Sequence, residues 1–422
     1  MTIAPWFQNA ALGLFVHWDH TSQQGMEISW PLVDKSIIPG RTHAEAQVTA
    51  EQYHSTAATF DPKRWDAREL ARLARLSGVR YVIFTARHHA GYSMYHTRQD
   101  DYSIENSPYH NDITREVFDA LRAEGVRVGL YYSLSDWHHP DYPAFTDADR
   151  PYLSGNNKRS SPEAWDRYLE YVKAQLRELL TDYGTIDLIW FDGEWERTAE
   201  EWRPAEIREL VKSLQPDVVI NDRLLGYGDY ITPEQGMPIH TPDQPWEMCL
   251  SIGESWAYRP DDIDFKPTRQ LAEYLTETTS RGGNLLLGLA IDQDGQFPRG
   301  EVTRIKELGA WLATHGEAIY DVESAPESVQ FHGPITRRGN TYYLHLVAVP
   351  VQRVVVRGLP VQRIAEIRLL GTEQELDYSV NLEVHEDENA ADLTGEIIIE
   401  FPGSSNALID VIRIDLSNAD AD

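Results

Sequence analysis

The chain has 422 residues, of which 41% are hydrophobic and 25% are charged. This length exceeds that of one ordinary domain core and predicts a large domain together with a smaller one. The 67 Asp and Glu residues outnumber the 38 Lys and Arg residues, which gives a formal net charge of −29. Phosphate backbones and anionic headgroups repel such a chain, so its composition disfavours nucleic-acid and membrane partners and suits neutral ligands such as sugars.

The cysteine content and the first residues bear on the compartment. The single cysteine, Cys249, excludes an intramolecular disulfide, so folding requires no oxidising compartment. The first residues lack the basic and long apolar regions of a signal peptide. No stretch approaches the roughly 18 uninterrupted apolar residues of a membrane-spanning helix. We therefore expect a cytoplasmic protein.

Short apolar runs alternate with helical patterns through the first three-quarters of the chain. One helix is predicted to begin after Asp66 and end near Gly78, and another to begin at Ser161-Pro162 and end near Gly184. Apolar strands separated by helices indicate a parallel α/β sheet, and eight such units would close a (β/α)8-like TIM barrel over residues 1–323. The predicted strands are residues 12–18, 81–86, 126–132, 188–191, 218–221 and 285–289, with weaker ones near Tyr230 and Met248.

The pattern changes after about residue 324. Short strands separated by turns follow one another without a long helical pattern, which predicts an antiparallel β-sandwich over residues 324–417. This domain is expected to pack on the barrel or to take part in contacts between copies of the chain. The polar and acidic residues 418–422 are expected to be disordered. The predicted strands are residues 329–331, 342–349, 353–356, 366–370 and 396–401.

Polar residues stand at or just after the ends of the predicted barrel strands. The C-terminal strand ends of an α/β barrel converge on a single cavity, so these side chains are expected to share one site. Buried polar groups in such a cavity need partners or ligands. The residues are His17, His88-His89, Tyr131-Tyr132, Asp192 and Asp222-Arg223, and the weak strand near Tyr230 leads to Glu234.

Two of these residues, Asp192 and Glu234, suggest a chemistry. Glycoside hydrolysis requires two carboxyl groups, one that attacks the anomeric carbon and one that transfers a proton. Their environments must differ so that one is ionised and the other protonated. Pro233 stiffens the approach to Glu234. The alternative interpretations are that Asp192 caps the next helix and that Glu234 is an ordinary loop residue.

A metal-dependent barrel hydrolase is a rival hypothesis, with His17, His88, His89 and Asp192 as ligands. Adjacent residues of a strand face opposite ways, so His88 and His89 would need a bulge to bind one ion. We therefore favour neutral histidines that exchange hydrogen bonds with sugar hydroxyls. For His17, a satisfied core histidine is the alternative.

Taken together, several segments resemble the α-L-fucosidases of glycoside hydrolase family 29. The resemblance covers roughly three hundred residues in the right order. It implies a (β/α)8-like barrel followed by a β-sandwich. The segments are Trp6-Phe7, Phe15-Val16-His17-Trp18, Phe60-Asp61-Pro62, His88-His89, Gly91, Tyr131-Tyr132-Ser133, Asp136-Trp137-His138, Trp190-Phe191-Asp192-Gly193, Gly282-Gly283-Asn284-Leu285 and Gly316-Glu317-Ala318-Ile319-Tyr320.

The resemblance implies a retaining exo-α-L-fucosidase that removes terminal fucosyl residues from oligosaccharides or glycoconjugates without a metal or cofactor. Asp192 would be the nucleophile that forms a covalent fucosyl-enzyme. Glu234 would be the acid/base, and Glu247 and Glu254 are the alternatives. The residues expected to bind the sugar are His17, Glu27, Trp30, His88, His89, Tyr131, Trp190 and Arg223.

The sequence also departs from the family pattern. Asp19 stands where glycine is usual, Ala90 replaces an Asp after the histidine pair, and Gly288 lies in an altered Asn-x-Gly-Pro segment. The Glu27–Trp30 pair is more widely spaced than usual. These changes leave open whether fucose or a related 6-deoxy or galacto-configured sugar is the glycone. They also keep open a non-catalytic carbohydrate-binding homologue.

Overall fold

The structure is a computed structural model that describes residues 3–32, 48–143, 159–350, 352–372, 374–382, 393–404 and 407–418. Apart from Asn418, the tail expected to be disordered lies outside these residues. None of the helices in the described ranges combines the length and apolarity needed to cross a bilayer. The helices are α1 Pro5–Gln8, α2 Ala50–Ser55, α3 Ala67–Leu76, α4 Ile113–Ala123, α5 Pro162–Asp182, α6 Ala199–Trp202, α7 Pro204–Leu214, α8 Thr268–Ser280 and α9 Arg299–His315.

The two helices predicted from their ends are present. Asp66 caps α3 by accepting a hydrogen bond from the Arg68 amide, and Gly78 follows it with a φ of +76°. Ser161 caps α5, whose first residue is proline, and Gly184 follows it with a φ of +74°. Local end signals therefore predict these helices correctly.

Seven strands form one curled parallel sheet with the order β5-β4-β3-β2-β1-β7-β6. Every neighbouring pair runs parallel, so the parallel α/β class is confirmed. The weak strand expected near Met248 is β6. The strands are β1 Leu12–His17, β2 Tyr81–Arg87, β3 Arg127–Ser133, β4 Leu188–Asp192, β5 Val219–Ile220, β6 Glu247–Leu250 and β7 Asn284–Ala290.

The other weak strand, near Tyr230, consists of isolated single bridges in the described chain. Tyr230 pairs with Asn221, directly after β5, and Ile231 pairs with Trp246, directly before β6. These two residues thus connect the edge strands. Pro233 has no backbone N–H to donate to the ladder and interrupts the pairing, which resumes where Glu234 pairs with Cys249 of β6.

The two faces of the sheet bury different apolar clusters. Leu14 and Val16 belong to a large cluster shared with the surrounding helices, whereas Phe15 and Trp190 belong to a smaller cluster enclosed by the curled sheet. Side chains two positions apart in a strand share a face. His17 therefore follows Phe15, and Asp192 follows Trp190, on the enclosed side at the C-terminal strand ends.

The C-terminal part forms two antiparallel sheets with the orders β12-β15-β10-β9-β8 and β11-β14-β13. Leu344 and Ile412 of the first sheet share one buried cluster with Val356 and Ile397 of the second. Trp311 of α9 donates a hydrogen bond to the Ile409 carbonyl, which links the two parts of the chain. The strands are β8 Glu323–Ser324, β9 Ile335–Arg338, β10 Thr341–Leu346, β11 Arg353–Pro360, β12 Ile364–Leu369, β13 Tyr378–Leu382, β14 Thr394–Glu400 and β15 Asp410–Leu416.

The predicted strands of this part differ from the structure at several places. Residues 329–331 form no strand, because only Gln330 pairs, through a single bridge to Arg357. Strands β8, β9, β13 and β15 were not predicted, although β15 lies inside the larger sheet, between β12 and β10. The alternation of buried positions in β15 was the available signal.

Candidate active site

Asp192 is the last residue of β4, and a glycine is required directly after it. Gly193 has a φ of +79°, a conformation that side chains other than hydrogen disfavour. A Cβ atom there would lie 2.3 Å from the Ser135 Oγ and 2.9 Å from the Ser133 Oγ. The Asp-Gly pair of the sequence therefore marks a sharp turn that leaves the Asp192 carboxylate at the mouth of the enclosed cluster.

Two side chains hold the Asp192 carboxylate. The Tyr131 hydroxyl donates a hydrogen bond of 2.8 Å to Oδ2, and Nη1 of Arg223 lies 3.2 Å from Oδ1. Burial raises the pKa of Asp192, while the Arg223 charge and hydrogen bonds from Tyr131 and the Gly193 amide lower it. Burial beside Asp192 also raises the pKa of Tyr131, which therefore stays a hydrogen-bond donor.

Arg223 connects the two predicted carboxylates. Its Nη2 atom lies 2.9 Å from Oε2 of Glu234, and its Nε atom lies 3.3 Å from Oγ1 of Thr232. The guanidinium group stacks over the Trp190 ring at 4.9 Å from the centroid. The Glu234 side chain is 39% exposed, against 12% for Asp192. The two carboxylates therefore share one cation but differ in solvent access.

His88 and His89 lie beside Asp192. The Nδ1 atom of His88 is 2.7 Å from Oγ of Ser29, and that of His89 is 2.8 Å from Oγ of Ser133. The two rings are 4.0 Å apart, and Nε2 of His89 is 3.6 Å from Oδ2 of Asp192. The expectation that they face opposite ways is wrong, because β2 ends at Arg87 and strand alternation no longer applies.

One donor atom from each of His88, His89 and Asp192 lies within 4.8 Å of the others, close enough to contact one cation. His17 does not join this group. Arg223 already supplies a positive charge to the Asp192 carboxylate. The arrangement is thus a set of hydrogen-bonding groups around a carboxylate whose charge Arg223 balances.

His17 is 3% exposed and forms a wall of the site. Its ring centroid is 5.3 Å from that of Trp256 and 5.5 Å from that of Tyr131. Burial, and to a smaller degree the neighbouring His89, lowers the pKa of His17 to about 3. The imidazole is therefore neutral at physiological pH and can both donate and accept hydrogen bonds.

Glu27 and Trp30 occupy different places. Both Glu27 carboxylate oxygens accept hydrogen bonds from backbone amides, those of Trp256 at 3.0 Å and Ala257 at 2.8 Å. Glu27 thus fixes the segment that places the Trp256 ring against His17. The Trp30 ring lies 5.4 Å from that of His89, at the rim of the site. The structure brings Trp30 into the site and places Glu27 behind it.

The two alternative acid/base residues lie elsewhere. Glu247 is fully buried below Asp192, where its carboxyl group accepts hydrogen bonds from Tyr81, Trp190 and Tyr230. Burial raises the pKa of Glu247 to about 7. Glu254 is exposed, and its backbone amide donates to Asp262. Of the three glutamates, only Glu234 has a described contact with the arginine that holds Asp192.

The residues that depart from the family pattern have local structural roles. Asp19 accepts hydrogen bonds from the amide and hydroxyl of Thr21 and caps a short helical turn. The Ala90 amide donates to the Ser29 hydroxyl that also contacts His88. Gly288 faces the Trp256 ring, which a Cβ atom would approach to 3.2 Å.

Glu194, Trp195 and Trp137 were not among the predicted site residues, although Trp137 belongs to a segment that resembles the family. Glu194 follows Asp192 by two residues. Burial, and then the Asp192 charge, raises the pKa of Glu194 to about 8. Trp195, 36% exposed, lies 5.1 Å from the His89 ring. Trp137 lies 5.2 Å from the same ring. The Asp-x-Glu-Trp sequence was the available signal.

Comparisons with known proteins agree with one another. Residues 1–317 match the family model described as alpha-L-fucosidase. The tissue alpha-L-fucosidase of Rattus norvegicus is 30% identical over 407 residues, 89% of this chain and 83% of that protein. The structure of alpha-L-fucosidase isoenzyme 1 from Paenibacillus thiaminolyticus is 30% identical, with a TM-score of 0.83 and 98% of both chains covered.

A further solved structure bears on the type of reaction. It is a trapped covalent intermediate of a family GH29 alpha-L-fucosidase from Bacteroides thetaiotaomicron, in complex with 2-fluoro-fucosyl fluoride. The present chain is 26% identical to it, with a TM-score of 0.80 over 98% of this chain and 95% of that one.

Proposed function

This chain belongs to the α-L-fucosidase family, and we propose that it is a retaining exo-α-L-fucosidase that hydrolyses terminal α-L-fucosyl residues by double displacement. The observation that carries the proposal is the Asp192 carboxylate, held by Tyr131 and Arg223 beside two histidines. The similarity to a GH29 enzyme trapped as a covalent intermediate supports the same type of reaction.

Asp192 is the proposed nucleophile. In the first step its carboxylate attacks the anomeric carbon, the bond to the leaving oxygen breaks, and an ester between enzyme and sugar forms. Arg223 and Tyr131 fix the carboxylate and counter the effect of burial on its pKa. They offset part of the rise in pKa that burial causes, and the group would react as an anion opposite the charge of Arg223.

Glu234 is the proposed acid/base. It would protonate the leaving oxygen in the first step and deprotonate the attacking water in the second. Its exposure suits a group that must meet both an aglycone and solvent. The contact that both carboxyl groups make with Arg223 supports a position of the two within reach of one anomeric carbon.

The sugar would be recognised by neutral imidazoles and aromatic surfaces. The proposed hydrogen-bonding residues are His17, His88 and His89, and rings such as Trp30, Trp190 and Trp256 would cover apolar C–H faces of the sugar. Glu27 would act indirectly, by fixing Trp256. Oligosaccharides or glycoconjugates are the proposed substrates.

We also propose how the parallel sheet closes into a barrel and how the C-terminal sheets are arranged. Residues 1–323 would form a (β/α)8-like barrel in which Tyr230 and Ile231 take the eighth strand position. The single bridges of these residues to Asn221 and Trp246 support this closure. Residues 324–417 would form a β-sandwich, an assignment supported by the apolar cluster that the two antiparallel sheets share.

The test is hydrolysis of an aryl α-L-fucoside, compared with aryl glycosides of other 6-deoxy and galacto-configured sugars. Proton NMR of the first product should show α-L-fucose before the anomers equilibrate, because double displacement retains configuration. Faster turnover of another glycoside would reassign the sugar. Binding of L-fucose without turnover of any aryl glycoside would favour a non-catalytic homologue.

A further inference from the structure

Glu194 is a half-buried residue near the proposed nucleophile, and the proposed mechanism does not use its carboxyl group. It begins a short 3-10 helix, Glu194–Glu196, directly after the Gly193 turn. Its backbone carbonyl accepts hydrogen bonds from the Trp202 indole and the Arg197 amide, which fix the segment. Its Oε2 atom is buried and has no hydrogen-bond partner among the described residues.

The two neighbouring carboxyl groups differ in their hydrogen-bond donors. Asp192 receives hydrogen bonds from Tyr131, Arg223 and the Gly193 amide. A charge on Glu194 is stabilised by the nearby Arg223 and, to a smaller degree, by a hydrogen bond from its own backbone amide. When two close carboxyl groups cannot both ionise easily, the proton stays on the one with fewer donors. Here that group is Glu194.

The charged groups around Glu194 point to the same distribution of the proton. Asp192 at the end of β4 and Asp222 after β5 oppose ionisation of Glu194, and Arg223 favours it. Arg223 already contacts both Asp192 and Glu234. Since two carboxylates share its charge, its effect on Glu194 is smaller than the combined effect of burial and of Asp192.

We propose that Glu194 is a substrate-binding residue that acts as a neutral carboxylic acid and donates a hydrogen bond to an oxygen of the sugar bound against Asp192. This inference rests on the proposed function. A neutral carboxyl group offers one O–H donor and leaves Asp192 as the anion opposite Arg223. The buried Oε2 atom then gains the partner that the described residues do not provide.

The first test needs no substrate and measures protonation. If Glu194 is neutral in the folded protein, the folded state keeps a proton that the unfolded chain releases above about pH 4.5. The free energy of unfolding of wild type should therefore fall as the pH rises from about 4.5 through the raised pKa of Glu194. Glu194→Gln lacks this group, so the difference between its melting temperature and that of wild type should increase as the pH rises across this range. The exposed Glu209→Gln variant of α7 is the control and should follow wild type.

The second test measures the dissociation constant of L-fucose between pH 6 and pH 9. Wild type and Glu209→Gln should bind about tenfold more weakly at pH 9, because ionisation removes the donor. Glu194→Gln retains an N–H donor, so its dissociation constant should change less than about threefold. Glu194→Asp keeps an ionisable group but withdraws it, so it should bind more weakly even at pH 6.

Three results separate the possible failures. Glu194→Gln that parallels wild type in both pH series would overturn the proposal. If Glu194→Gln loses about 10²-fold or more in turnover but binds L-fucose as wild type does, Glu194 would instead be a proton-transfer group. Wild type that neither binds L-fucose nor hydrolyses an aryl fucoside would contradict the proposed function, and the stability series would still decide whether Glu194 is neutral.

Discussion

The Tyr131 hydroxyl donates a hydrogen bond of 2.8 Å to Oδ2 of Asp192. Register pairing of β3 and β4 places Tyr131 next to Trp190, two residues before Asp192. The Tyr131 ring also stacks on that of His88, with centroids 5.3 Å apart and planes 8° apart. One tyrosine thus orients the proposed nucleophile and supports one of the proposed sugar-binding histidines.

Replacing Asp192 should abolish catalysis and leave the fold intact. Asp192→Gly removes the proposed attacking group, so kcat for an aryl α-L-fucoside should fall by at least about 10³-fold. Added azide should restore part of the turnover, because a small anion can occupy the vacated space. Steady-state rates with and without azide, alongside melting curves, measure this. Turnover near the wild-type rate would exclude Asp192 as nucleophile.

Replacing Glu234 should affect poor leaving groups most. Glu234→Gln removes the proposed proton donor, so turnover of a fucosyl disaccharide should fall by about 10²-fold or more. An aryl fucoside with an acidic phenol needs less protonation and should lose less in the first step. The ratio of kcat/KM values for the two substrates is the measurement. Glu254→Gln is the matched comparison, and a larger effect there would transfer the role to Glu254.

Glu247 should influence stability in a pH-dependent way. Its pKa is raised to about 7 in the folded state, so folding keeps a proton that the unfolded chain releases above about pH 4.5. Wild-type stability should therefore fall as pH rises from 4.5 through 7, and Glu247→Gln should lack this decrease. This decrease in the free energy of unfolding is at most on the order of 3 kcal/mol.

Chemical denaturation of both proteins at pH 5 and pH 8 tests the Glu247 prediction. If the free energy of unfolding changes equally in wild type and Glu247→Gln between pH 5 and pH 8, this carboxyl group is ionised in the folded state. A hydrolytic rate of Glu247→Gln reduced as much as that of Glu234→Gln would also contradict the structural role assigned to Glu247.

The turn after the nucleophile should tolerate no side chain. Gly193→Ala introduces both backbone strain at a φ of +79° and a clash with Ser135, which together should destabilise the fold by about 1–3 kcal/mol and lower kcat. Gly226→Ala is a control with a φ of +87° but no heavy atom near its Cβ position. If Gly193→Ala loses no more stability than Gly226→Ala, the Ser135 side chain moves aside easily.

Metal removal should leave activity unchanged. The charge of Asp192 is balanced by Arg223, and the proposed double displacement uses two carboxyl groups and no Lewis acid. Wild-type kcat/KM should be the same before and after dialysis against EDTA. A loss of activity that Zn²⁺ or another divalent cation restores would turn His88, His89 and Asp192 into metal ligands.

The sequence predicted the parts of the site that depend on strand ends. Apolar runs that end in His17, Tyr131 and Asp192 were visible in the sequence, and the parallel sheet brings them to one edge. The pairing near Tyr230 was predicted less well, because isolated bridges leave no hydrophobic period in the sequence. Local signals thus suffice where an element is long and buried.

Other features depend on contacts between distant parts of the chain. The Glu27 carboxylate accepts hydrogen bonds from the amides of Trp256 and Ala257, more than two hundred residues away. Glu194 looks like a loop residue in the sequence, yet its Oε2 atom is buried in the fold. No local pattern reports such contacts, so their prediction requires the fold.

The central claim is that Asp192 forms the covalent bond with the sugar. Incubation with a 2-fluoro-fucosyl fluoride, followed by proteolysis and mass spectrometry, tests it most directly. We expect one 2-fluoro-fucosyl group per chain, attached to the peptide that contains Asp192, and none on the Asp192→Gly variant. A label on a different carboxylate, or hydrolysis with inverted configuration and no label, would contradict it.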